Sequence, residues 1–254
     1  MQGRLKGKVA LVTGSGSGIG QGCALLFARQ GAAVMGCDLD AAAAAETVRL
    51  ARSEDLTMES VHPCDLTVPE DVQRTVDRTV GTFGRLDILV NAAATAVFAP
   101  LEEMRYADWR RTISGELDVV FLACKTAWPH LRAAGGGSII NFSSVNAYHA
   151  LEGSSALAHC AGKGGVLAMT RQLALEGAPY NIRANTIAPG MIVTGATRLL
   201  LEDTAFVRNV LDKAMLKRMG RPEDVAWCAL FLASDEASWI TAADFSVDGG
   251  ARAL

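Results

Sequence analysis

The stretch SALAHCAGKGG (155–165) sets His159 and Lys163 four positions apart, so both side chains project from one face of a helix. A free imidazole ionises near ~6.5 and is mostly uncharged at neutral pH, and a lysine ammonium within reach disfavours a second positive charge beside it. Such a pair can take a proton from an alcohol. It is a poorer acid for the reverse step, because little imidazolium exists above neutrality. A second chemical feature is TGSGSGIG (13–20), with glycines at 14, 16, 18 and 20. Glycines there let backbone amides approach a pyrophosphate and let a helix N-terminus face it. Gly14, Ser17, Gly18, Ile19 and Gly20 are the expected contacts of that turn. The next apolar run ends in Asp38, whose carboxylate suits the ribose hydroxyls of NAD and repels a 2′-phosphate. No Arg or Lys lies within 13–22 to offset that repulsion, so NAD is the expected cofactor.

These residues need a scaffold. Apolar, β-rich runs occur at 8–13, 32–38, 58–64, 86–92, 137–144, 181–188 and 243–248, separated by helix-period segments at 18–30, 41–53, 69–83, 102–112, 115–134, 155–177 and 222–234. Near-continuous apolar strands alternating with helices predict a parallel sheet covered on both faces. The expected fold is therefore a doubly wound (Rossmann) α/β fold of about seven strands, formed as one domain over 1–254. The alanine run at 41–45 reads as a plain surface helix. Residues 190–219 are too long for a simple connection and leave the carboxyl end of a strand, where ligands bind in such sheets, so a substrate lid is expected there.

Composition narrows the function classes. Half of the 254 residues are apolar, enough for a large core. The formal charge of −3 with no basic run gives no electrostatic footprint for nucleic acid or an acidic membrane surface. No window approaches the ~20 apolar residues of a membrane span, and the N-terminus lacks the apolar stretch of a signal peptide. The six cysteines have no CxxC or metal-ligand spacing, which reads as reduced thiols, a cytoplasmic location and no metal site.

In order and spacing these motifs resemble those of the short-chain dehydrogenase/reductases over essentially the whole chain. TGSGSGIG is similar to the family's TGxxxGxG turn, and Asp65 with Leu66 in CDLT to its adenine contact. LVNAAA (89–94) resembles LVNNAG, with Ala92 and Ala94 substituted. SIINFSS, the AxxxK helix, IRANTIAPG and RPEDVAWCALFLASD…SVDGG complete the match. The resemblance implies that Asn91 supports the cofactor-side strand. It implies that Lys163 bonds the nicotinamide ribose and that Pro189, Gly190 and Thr194 hold the nicotinamide.

It also implies a catalytic set of Ser, Tyr, Lys and Asn, and here the pattern breaks. Ser144 matches the Ser, with Ser143 as fallback, and Lys163 matches the Lys. His159 stands at the Tyr position, and in DWRRTISGELDVVF (108–121) Glu116 stands where the Asn belongs. Glu116 either joins a His–Glu–Lys proton relay or is a solvated helix charge. Tyr148, and after it His149, are alternative acids, and Cys160 reads as a core thiol. The loop 145–158 is longer than the family's. Three activities fit these residues: NAD-dependent oxidation of a secondary alcohol (or reduction of its ketone), an NAD-assisted elimination, epimerisation or dehalogenation, and nucleotide binding without catalysis. The resemblance further implies a homotetramer or homodimer, with helices 102–134 and 155–177 pairing between subunits and the C-terminal SVDGGARAL near another interface, acting on a small-molecule substrate.

Overall fold

Each central strand divides its side chains between two apolar layers, as a two-residue period requires. In β1 (Val9–Thr13), Ala10 and Val12 join one buried cluster while Leu11 joins the other. The first layer is completed by Phe27 from α1 (Gly18–Arg29), Val34 from β2 (Ala33–Cys37) and Val48 from α2 (Ala41–Ser53). Met58 from β3 (Met58–Val61) lies in the same layer. The second layer takes Val72 and Val76 from α3 (Pro69–Phe83) and Leu89 from β4 (Ile88–Asn91).

The computed structural model describes residues 3–150 and 154–253. After α4 (Tyr106–Ile113) come α5 (Val119–Ala133), β5 (Gly137–Phe142), α6 (Leu157–Gly177) and β6 (Ile182–Pro189). The chain closes with α7 (Thr204–Lys213), α8 (Pro222–Ala233) and β7 (Asp244–Val247). All seven strands are parallel in the order β3-β2-β1-β4-β5-β6-β7, a doubly wound sheet whose order reverses between β1 and β4. Helices α1 and α8 cover one face and α3, α5 and α6 the other.

The departures from expectation are local. β3 stops at Val61 rather than 64, where Pro63 has no N–H to continue the ladder. The helix expected at 102–112 begins at Tyr106, and that expected at 155–177 begins at Leu157. The helices expected at 102–112 and 115–134 are one run joined by a π-helical turn, Ser114–Asp118. A backbone crossing accounts for its placement: Thr95 N–H donates to Gly115 O at 3.1 Å, and a Cβ on Gly115 would stand 2.7 Å from Thr95 O. Within 190–219 the structure has a 3-10 stretch, Gly195–Glu202, followed by α7. Part of the long 145–158 loop, residues 151–153, lies outside the described residues.

Candidate active site

The carboxyl ends of β1 and β4 flank the point where the strand order reverses, and those of β5 and β6 follow along the same edge. The Gly-rich turn leaves β1 there. Gly14 (φ 66°) and Gly18 (φ 54°) adopt left-handed conformations that side chains disfavour. A Cβ on Gly14 would come within 2.8 Å of the Ala93 backbone, and one on Gly18 within 3.0 Å of Thr194 Cγ2. Glycine at both positions is what lets this tight, backbone-lined cradle pack against the exit of β4 and against Thr194, and α1 starts at Gly18. Ser17 precedes α1, is exposed and makes no side-chain capping bond, while Ile19 packs on the core and Gly20 is buried. Asp38 closes the cradle: its Oδ2 accepts from Gly16 N at 2.8 Å and its Oδ1 from Asp40 N at 2.9 Å. These residues fit a dinucleotide, the glycines by backbone approach and Asp38 by carboxylate chemistry.

Next to β2, Asp65 Oδ1 accepts from Thr67 N (2.9 Å) and Thr67 Oγ1 (2.7 Å), and Leu66 is buried in the second core layer. Asn91 Nδ2 donates to Asn141 Oδ1 at 2.7 Å, linking β4 to β5. Its own Oδ1 is buried without a hydrogen-bond partner. Thr13 carries no motif signal of its own, yet its Oγ1 accepts from Ala92 N (3.0 Å) and Ala93 N (3.1 Å), fastening the exit of β4 to the Gly-rich turn. Pro189 ends β6, and Gly190 packs tightly against the Asp248 backbone. Thr194 caps the 3-10 stretch through reciprocal bonds with Thr197 and turns its methyl toward Gly18.

The titratable candidates come from the π turn and from α6. The π turn carries Glu116 inward to 2 % exposure, so it is no solvated helix charge. Glu116 Oε1 lies 2.7 Å from His159 Nδ1 and 4.0 Å from Lys163 Nζ. A carboxylate only accepts, so Nδ1 carries the proton and donates, which leaves Nε2 as the open nitrogen. Glu116 Oε2 is buried with no hydrogen-bond partner. Gly162 makes the approach feasible, since a Cβ there would lie 2.9 Å from Glu116 Oε2 and 3.2 Å from Glu116 Cβ. Lys163 Nζ donates to Phe142 O at 3.2 Å; burial pushes its pKa down, and the nearby Glu116 pulls it back up.

Ser144 sits at the end of β5, where its Oγ accepts from Asn146 N at 3.1 Å and keeps its own proton free to donate. The fallback Ser143 is turned away, its hydroxyl near Ile187 O (3.2 Å) and Asp244 Oδ1 (3.0 Å). Tyr148 is also held elsewhere: the Arg252 guanidinium lies 4.0 Å from its ring centroid, and burial and the Asp244 carboxylate raise its pKa. His149 is exposed, and Cys160, expected as a core thiol, is only half-buried. Phe98 had no sequence signal, yet its ring lies 5.6 Å from the His159 ring, centroid to centroid.

A Gly-rich turn at the switch point of a doubly wound sheet, beside a buried His–Glu pair, is the arrangement of a Rossmann-type fold. Residues 14–252 match the family model described as enoyl-(acyl carrier protein) reductase. The chain belongs to the short-chain dehydrogenase/reductase family. It is 38 % identical over 248 residues to D-threitol dehydrogenase of Mycolicibacterium smegmatis, covering 97 % of this chain and 94 % of that one. It is 35 % identical over 247 residues to an NAD-dependent glycerol dehydrogenase of Listeria innocua, covering 96 % and 93 %. Among solved structures, a 7α-hydroxysteroid dehydrogenase in complex with NADH and 7-oxo glycochenodeoxycholic acid superposes with a TM-score of 0.93 at 31 % identity, covering 98 % of this chain and 96 % of that one. Among the described residues no helix is long and apolar enough to cross a membrane.

Proposed function

We propose that this chain transfers hydride between a secondary alcohol and NAD, oxidation being the favoured direction, with His159 as the base. The observation that carries the reading is the 2.7 Å bond from His159 Nδ1 to the buried Glu116, which aims the imidazole and leaves Nε2 to accept the alcohol proton. The negative Glu116 then stabilises the imidazolium that forms. Ser144 orients the alcohol oxygen by donating its free hydroxyl proton. Lys163, fixed by Phe142 O, contributes its charge to the cofactor side of the site. The bound nicotinamide supplies the hydride acceptor.

Gly14, Ser17, Gly18, Ile19 and Gly20 cradle the pyrophosphate, Asp38 selects NAD over NADP, and Asp65 and Leu66 border the adenine. Asn91, Pro189, Gly190 and Thr194 support the nicotinamide end. Residues 190–219 act as the substrate lid of a single domain spanning 1–254. The half-exposed Phe121 on α5 and the exposed Leu175 on α6 support pairing of two or four copies through these helices. The six free thiols support a reducing, cytoplasmic setting.

The test is a panel of secondary alcohols with NAD, following NADH absorbance and substrate loss together. Stoichiometric NADH formation is expected. Substrate loss without NADH accumulation would replace oxidation by an elimination or epimerisation in which Glu116 and His159 move the protons.

A further inference from the structure

The imidazole has a second neighbour besides Glu116. Phe98, in the segment after β4, places its ring 5.6 Å from the His159 ring at an interplanar angle of 39°. Backbone bonds on either side of Phe98 hold it there. Val97 N donates to Thr112 Oγ1 of α4 at 2.9 Å, and Ala99 N donates to Ser155 O, just before α6, at 3.1 Å. Phe98 nevertheless keeps 53 % of its surface exposed. A fixed, half-exposed aromatic ring against a reacting imidazole is a contact surface for whatever reaches Nε2.

We propose that the substrate is a secondary alcohol bearing a bulky apolar or aromatic group on its carbinol carbon, and that Phe98 selects it. The proposal rests on the alcohol-oxidation reading above. An alcohol bonded to Nε2 brings its substituents within van der Waals reach (~4 Å) of groups beside the imidazole, and the Phe98 ring is such a group. Hydroxylated substituents would shed water there and receive no donor or acceptor from the ring. Alkyl or aryl substituents lose nothing and gain dispersion and burial. The chain is therefore set apart from the threitol and glycerol dehydrogenases it resembles by what its substrate carries rather than by the bond it breaks.

The experiment compares 1-phenylethanol with D-threitol, using NAD, in the wild type, Phe98→Ala and Phe98→Leu. It measures kcat/KM from NADH absorbance and, separately, the shift in melting temperature that each alcohol gives in the presence of NAD. The expected result is a preference for 1-phenylethanol of about tenfold or more. That preference should be lost in Phe98→Ala and largely kept in Phe98→Leu, with NAD affinity equal in all three proteins. Preference for threitol overturns the proposal, as does an equal fall on both alcohols in Phe98→Ala, which would make the ring a mere prop for the imidazole. If neither alcohol is oxidised, alcohol oxidation falls, and the melting shifts still decide the inference. A shift with 1-phenylethanol alone, abolished in Phe98→Ala, supports the apolar subsite, and no selective shift overturns it.

Discussion

Glu116 is a carboxylate at 2 % exposure, and burial of such a charge is tolerated only where partners return what water supplied. Here the partners are the His159 Nδ1–H at 2.7 Å and the Lys163 ammonium at 4.0 Å. Glu116→Gln should therefore leave the fold intact, since a neutral amide is cheaper to bury. It should lower kcat by about 10²–10⁴-fold, because an amide can hold the wrong imidazole tautomer and cannot balance the imidazolium. Steady-state kinetics beside thermal melts would separate the two effects. At this scale the sequence was legible in part. His159 and Lys163 share a helical face by spacing alone, and Ser144 follows from its strand. The meeting of Glu116 with His159, 43 positions apart, depends on the π turn and on the missing side chain of Gly162. Phe98 reaches His159 from another segment altogether, and no local pattern encodes that contact.

The elements themselves were readable because the two core layers impose a strong period on the strands, and all seven lie where apolar runs predict them. The π turn was not, because it answers a close crossing with Thr95 rather than any propensity of SGELD. Another long-range feature joins β7 to β6 and to Ser143, just after β5. Asp244 Oδ1 accepts from Thr186 Oγ1 (2.6 Å) and Ser143 Oγ (3.0 Å), while Oδ2 meets Arg252 at 2.6 Å. Burial pulls this carboxyl upward, but hydrogen bonds from Thr186, Tyr148, Arg252 and Ser143 outweigh it and hold its pKa below the usual carboxylate value. A depressed native pKa adds stability above the ordinary carboxylate range, ~4, and that stability is lost as pH falls toward the native value. Urea unfolding between pH 3 and 7 should show this decline in the wild type. Asp244→Asn should be less stable at pH 7 and show a shallower acid decline.

For the molecule as a whole, the cradle and Asp38 act together on stability, since a ligand bound only by the native state raises it. NAD at a hundred times its Kd adds about 2.7 kcal/mol, which for a chain of this size is several degrees of melting temperature. On the proposed role of Asp38, NADP at the same concentration should give a clearly smaller shift, its 2′-phosphate being repelled by the carboxylate. Asp38→Ser should narrow the gap between the two cofactors, as read by scanning fluorimetry. The same global frame brings the Gly-rich turn, the π turn and the α6 helix to one edge of the sheet, although they are far apart in sequence.

The pH dependence of kcat/KM for alcohol oxidation, in wild type and His159→Ala, tests the central assignment most directly. If His159 is the base, the wild-type rate rises as the imidazole loses its proton. The variant should then lose that limb and run about 10²–10⁴-fold slower, with NAD affinity unchanged. A variant with wild-type rates and the same pH profile would contradict the assignment of His159 as base.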